Sequence, residues 1–124
     1  MTNNILYLDT ETTGLPPKGA KWREDYEQFP HLVSLSWHYD GKLNDYLIKP
    51  EGWTIPQEAT NIHGITQEKA EKEGVSQMFV LGEFIGYAGK ADKIIGHNLY
   101  FDISVIKANL LILNFLLKQV PVKL

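Results

Sequence analysis

Asn4-Ile5-Leu6-Tyr7-Leu8-Asp9-Thr10-Glu11-Thr12-Thr13-Gly14 is the stretch on which the reading of this chain turns. Its first half, Asn4 to Leu8, is a short apolar run with an aromatic residue, which suits a buried strand better than a helix. Two carboxylates follow, two positions apart, and the strand period of two puts Asp9 and Glu11 on one face. Adjacent anions repel, so the pair costs stability unless a cation neutralises it, and hard divalent ions such as Mg²⁺ and Mn²⁺ favour carboxylate oxygens. Taken alone, a D-x-E pair often arises by chance, and a turn-forming Asp beside a solvated Glu explains it more simply.

Outward from this strand, Gly14-Leu15-Pro16-Pro17 breaks the run, and the charged, aromatic segment to Pro30 reads as a long surface loop. His31 to Tyr39 alternates, with Leu32, Ser34, Ser36 and His38 on one face and Val33, Leu35, Trp37 and Tyr39 on the other. Asp40-Gly41 is a tight-turn signal leading into a strand over Leu43 to Ile48, which makes a hairpin. Gln57 to Asn61 suits one helical turn, and Thr66 caps a helix through Lys72. Ser76 caps a longer helix with an apolar stripe of Phe79, Val80, Phe84 and Tyr87. Asp92 to Gly96 fits a short strand, with a further helix from Phe101. The order β-β-β-α-β-α is an antiparallel meander followed by a crossover, which normally returns a strand parallel to the first. An α/β fold with a mixed sheet and helices packed on it is therefore expected.

At 124 residues and 44% hydrophobic content, one globular domain over residues 1–124 is expected. There are no cysteines, so no disulfide framework or thiolate metal site is available. The net charge of −3 disfavours a protein that coats nucleic acid by charge alone, and a nucleic-acid partner would need cations to mediate part of the contact. The amino terminus MTNNILYLD lacks the features of a secretory signal, and no apolar run is long enough to span a membrane, so a cytoplasmic protein is expected.

Leu6 to Leu15 closely resembles the first motif of the DEDD superfamily of 3′→5′ exonucleases, which includes polymerase proofreading subunits and ribonuclease T. Ile95-Gly96-His97-Asn98-Leu99-Tyr100-Phe101-Asp102 looks like the second motif, whose Asp supplies a further metal ligand. Asn61-Ile62-His63-Gly64-Ile65-Thr66 resembles the loop with a substrate-facing His, preceded by an acidic residue matched here by Glu58. The resemblance implies a ribonuclease H-like fold, metal ligands Asp9, Glu11 and Asp102, and two divalent cations, Mg²⁺ or Mn²⁺. It also implies cleavage of phosphodiester bonds at the 3′ end of single-stranded DNA or RNA, and a DNA polymerase as an assembly partner.

The chemistry of the residues agrees with it. Two metals activate a water and stabilise charge on the attacking and leaving oxygens, and the three carboxylates can supply most of the ligands. The backbone of Thr12, Thr13 and Gly14 can approach a terminal nucleotide closely, because Gly removes side-chain bulk. His63 either bonds the 3′ end or its phosphate, or merely bonds local backbone. His97 and Asn98 are expected to anchor the loop that presents Asp102. Trp22, Tyr26, Phe29 and Trp53 are expected to pack their loops on the sheet, and Lys18, Lys21 and Arg23 to be solvated.

In the resembling family a third motif places a His general base and, five positions on, a further Asp. Here His31, His38, His63 and His97 all precede Asp102, and no Asp or Glu follows it. A chain truncated at its C-terminus, incomplete in fold and with little turnover, is therefore expected. The alternative is a non-catalytic module that binds nucleic-acid ends or a protein. The stretch from Asn109 to Leu117 is apolar on nearly every side, so it should be covered, by folding back over the sheet or by pairing with a second copy of the chain.

Overall fold

The structure, a computed structural model, describes residues 4–118, with side-chain surroundings to residue 114. Three strands form first: β1 (Ile5–Thr12), β2 (Leu32–Tyr39) and β3 (Lys42–Leu47). Three helices follow, α1 (Gln57–His63), α2 (Gln67–Glu73) and α3 (Gln77–Ala88), and then β4 (Lys93–Gly96) and α4 (Leu99–Lys118). The sheet order is β3-β2-β1-β4, with β1 antiparallel to β2 and parallel to β4. The meander and the parallel return thus form as the element order requires. Asp40 (φ 50°) and Gly41 (φ 76°) link β2 to β3 with the two positive φ angles that a two-residue hairpin of this twist needs.

β1 continues four residues past the apolar run, so the two carboxylates lie within the ladder, Asp9 opposite Ser36 and Glu11 opposite Ser34. Leu6 and Leu8 face inward with Leu35 and Trp37, under Val80, Leu81 and Phe84 of α3 and Val105, Ile106 and Ala108 of α4. Trp37 meets Phe84 edge-on at 5.5 Å. The stripe expected on α3 is corrected in one member: Leu81 is buried, whereas Phe79 is 49% exposed. Positions 80, 81, 84, 87 and 88 share a face at helical spacing, and 79 lies about a quarter-turn away.

The alternation expected from His31 is also corrected. Thr12 pairs with Leu32 while Glu11 pairs with Ser34, which leaves Val33 as the extra residue of an irregularity in the ladder. A bulge re-aims the side chains beyond it. Leu32 consequently joins the main core with Leu35 and Trp37, and Val33 joins a second cluster with Ile55, Ala59 and Ala70 beneath α1 and α2. His31 precedes the strand and stacks on Trp53, centroids 4.7 Å apart and planes 2° from parallel.

The long loop holds to the core through Phe29, which is buried, and through Trp22 and Tyr26, with a 3-10 turn over Tyr26–Gln28. From its own loop, Trp53 packs on both clusters. Thr66 and Ser76 cap α2 and α3, their hydroxyls accepting the N–H groups of Lys69 and Phe79. α4 starts two residues earlier than Phe101, so Asp102 falls in its first turn. Buried Asn109 ties α4 to the start of β2, its Nδ2 donating to the Pro30 carbonyl (3.0 Å) and the Val105 carbonyl (2.8 Å). Leu110 and Leu113 pack back on the main core. The side chains of residues 115–117, on which the expected pairing with a second copy also falls, lie outside those described. Among the described residues no helix is long and apolar enough to cross a membrane.

Candidate active site

The pleat of β1 separates neighbours. Thr10 turns inward and is buried, while Asp9 and Glu11 turn to the other face, Asp9 exposed and Glu11 partly covered. Asp102 reaches the same strand from the inner side. It is 5% exposed, and its Oδ1 accepts the Thr10 hydroxyl at 2.6 Å across a separation of 92 positions. Gly96 makes room for it: a Cβ there would lie 3.2 Å from the Leu8 carbonyl and 3.3 Å from Asp102 Oδ2. The Asn98 carbonyl accepts the Asp102 N–H at 3.1 Å and opens α4, while the side chains of His97 and Asn98 are exposed.

The carboxylates sense one another. Burial raises the Glu11 carboxyl above its ordinary value, Asp9 and Asp102 raise it further, and His63 pulls it down. Burial likewise raises Asp102, the Thr10 hydrogen bond lowers it, Asp9 raises it and His97 lowers it. Among the described residues no group of three or more His, Asp or Glu stands close enough to hold one metal ion in common. The physical reason is visible in the pleat, since Asp9 and Glu11 leave β1 on one side and Asp102 is held to Thr10 on the other. The donor set nevertheless fits a hard divalent cation, because its donors are all carboxylate oxygens and two of the three are pushed toward protonation, a cost that a cation relieves.

Beside Glu11 opens a cleft of about 220 Å³, lined by Glu11, Thr12, Gly14, Leu15, His63 and Phe101 among others. His63 ends α1 just before Gly64, whose φ of 77° turns the chain away. Its Nδ1 accepts the Ile65 N–H at 3.0 Å, so in the neutral ring the proton sits on Nε2, which is buried and has no partner among the described residues. The ring thus bonds local backbone through one nitrogen, as one of its two expected roles requires, and lines the cleft. The Thr12 hydroxyl donates to the Gly14 carbonyl at 2.7 Å and shapes the turn at the cleft's rim.

Two residues expected at the site stand apart from this cleft. Thr13 turns to the β2 side, its N–H donating to the His31 carbonyl at 3.0 Å and its hydroxyl accepting the His31 N–H at 2.9 Å. Glu58 is exposed on the first turn of α1 and does not line the cleft. Among the residues that line it without having been expected are Leu15 and Ile62, 82% and 85% exposed, and Phe101. Their only signal in the sequence is adjacency, to Gly14, His63 and Asp102. Thr10 was missed as well; its signal is a hydroxyl at the inward position between two outward carboxylates.

The family model RNase_T, described as Exonuclease, matches residues 6–122. No curated protein matches the chain. Among solved structures, Escherichia coli exonuclease I in complex with a dT13 oligonucleotide is similar at 19% identity and a TM-score of 0.67, over 85% of this chain and 23% of that one. Exonuclease I from Methylocaldum szegediense gives 18% and 0.66, over 84% of this chain and 22% of that one. A structure of SSB/exonuclease I with the inhibitor CFAM gives 20% and 0.65, over 85% and 23%. At these identities the likeness is one of fold, and the mixed sheet is the ribonuclease H-like arrangement that the motifs implied. The chain spans about a quarter of the length of these structures.

Proposed function

We propose, from the premise that this chain belongs to the exonuclease family, that it takes the 3′ end of single-stranded DNA or RNA into the cleft beside Glu11 and hydrolyses the terminal phosphodiester. The observation that carries this is the cleft itself, where His63, whose buried Nε2 has no partner among the described residues, and a glycine-bearing turn share a space with a carboxyl raised by burial and by Asp9. The oligonucleotide held by the similar E. coli exonuclease I supports nucleic acid as the ligand.

In this reading Asp9, Glu11 and Asp102 would supply the carboxylate oxygens for two divalent cations, Mg²⁺ or Mn²⁺, which would lower the pKa of a water and offset charge on the leaving oxygen. Thr10 orients Asp102 through its hydroxyl. His63 Nε2–H donates to the terminal phosphate or 3′ hydroxyl, while the Ile65 N–H holds the ring in that tautomer. The Thr12–Gly14 turn brings backbone close to the terminal nucleotide, and Leu15, Ile62 and Phe101 keep water from its sugar and base. Thr13 supports that turn through His31.

No His or carboxylate follows Asp102 within these 124 residues, so turnover by this polypeptide is expected to be slow. Lack of a general base typically costs about 10²- to 10⁴-fold. The test is release of labelled mononucleotides from a 3′-labelled single strand with Mn²⁺. Slow release abolished by Asp9→Ala supports the reading; release indifferent to Asp9→Ala sinks it.

A second reading, a module that binds ends without cutting, is favoured by the lack of a common three-ligand group among the described residues. Calorimetric binding of Mn²⁺ and a nucleoside 5′-monophosphate with no product after long incubation would select it. We place the protein in the cytoplasm, as one domain, with a polymerase or a second copy of the chain as protein partner. A monodisperse monomer in sedimentation at high concentration removes the second copy.

A further inference from the structure

We infer that the outer side of α4, from Tyr100 past Lys107, together with Trp22, is a track that holds single-stranded nucleic acid upstream of its 3′ end. This rests on the reading of the cleft given above, and extends it to a surface on which that reading does not depend.

Trp22 is half-buried, and two cations stand over its ring: the Arg23 guanidinium at 5.2 Å and the Lys107 ammonium at 4.9 Å from the centroid. A charge held on an aromatic face gives up its side-chain freedom before any ligand arrives, so less entropy is lost on binding phosphate. Lys107 and Trp22 are shared by two clefts of about 360 and 370 Å³, one running to Tyr100 and Ile103 and the other to Leu110 and Asn114. Residues 100, 103, 107, 111 and 114 recur at helical spacing on one side of α4, a line about 21 Å long at 1.5 Å per residue.

Two observations select a strand of nucleic acid as the occupant. The first is proximity: Tyr100, 78% exposed at one end of the line, is the chain neighbour of Phe101, which lines the cleft at Glu11. The second is charge. Between Asp102 and Asn114 the helix carries one charged residue, Lys107, in a chain whose net charge is −3. Of the nearby acids, Asp25 accepts the Lys21 N–H at 2.9 Å, and Glu24 is exposed in the loop. Fixed cations beside an exposed aromatic ring match alternating phosphates and bases, with Tyr100 as a stacking platform and Lys107 and Arg23 as phosphate contacts.

The test compares a dinucleotide with a dodecanucleotide, both 5′-labelled oligothymidylates, by fluorescence anisotropy with the full chain and Ca²⁺. The wild type should bind the longer strand more tightly. Arg23→Gln with Lys107→Gln should weaken the dodecanucleotide roughly tenfold and leave the dinucleotide unchanged. The same pair should flatten the slope of log affinity against log salt by about 1.4, or about 0.7 for each of two phosphate contacts. Tyr100→Ala should cost roughly tenfold on the longer strand and Tyr100→Phe little, because stacking needs the ring and not the hydroxyl.

Unchanged dodecanucleotide binding in the double variant overturns the track. A wild type that binds the dinucleotide but gains nothing with length overturns the track and leaves the cleft reading standing. Binding of neither probe defeats both. Loss of self-association in sedimentation, with strand binding intact, would make this face a protein contact and overturn the inference.

Discussion

Leu6, Leu8 and Thr10 leave β1 on the side that α3 and α4 cover, whereas Tyr7, Asp9 and Glu11 of the same strand leave it on the other side. The inner set is buried, and its one polar member has a partner, the Asp102 carboxylate. On the outer side Tyr7 is 50% exposed, and Glu11 has a carboxyl raised by burial and by Asp9. One strand thus carries two demands a single residue apart. The inner face is selected for burial of apolar area, while the outer face accepts repulsion that lowers stability and prepares a site for positive charge. Asp102 crosses between them, being packed with the inner face and sensed electrostatically by the outer one.

The largest effect that would break this contrast is on chemistry. Glu11→Ala should lower mononucleotide release by more than about 10²-fold, since metal ligation supplies several kcal/mol of transition-state stabilisation, while the urea midpoint stays close to that of the wild type. A large fall in the midpoint would show that the outer face also carries the fold. Leu8→Ala should do the opposite, costing about 2–5 kcal/mol in chemical denaturation while folded protein keeps its Mn²⁺ affinity.

Thr10→Val tests the crossing point. Loss of the hydroxyl leaves the buried carboxylate short of a partner and should cost about 1–3 kcal/mol. The Thr10 hydrogen bond also lowers the Asp102 carboxyl, so its loss should move the acid limit of Mn²⁺ binding, followed by calorimetry, to higher pH. An unmoved limit would place Asp102 outside the ion's reach.

The smallest effect concerns repulsion alone. Asp9→Asn should stabilise the metal-free protein by less than about 1 kcal/mol at neutral pH, since solvent screens an exposed charge. Glu11 and Asp102 have raised folded values, so their contribution to stability is full below the unfolded values and is lost as pH rises through the folded ones. The advantage of Asp9→Asn should therefore shrink as pH falls through those values. An advantage that persists in acid would show that Asp9 acts on stability by another route.

Much of this molecule is legible in its residues. The meander, the Asp40-Gly41 turn, the caps at Thr66 and Ser76 and the shared face of Asp9 and Glu11 all follow from neighbours a few positions apart, where the periods of strand and helix operate. The order of the exonuclease-like segments identified the family for the same reason, since each motif is contiguous. What only the tertiary structure decided lies across longer separations. The irregularity opposite Glu11 sends Leu32 and Val33 to different cores, against simple alternation. Thr13 is drawn to His31, Glu58 is left at the surface, and Leu15, Ile62 and Phe101 become the walls of the cleft. The Thr10–Asp102 bond joins residues 92 positions apart. Periodicity tells which way a side chain leaves its own strand or helix; what it meets there depends on how the elements pack.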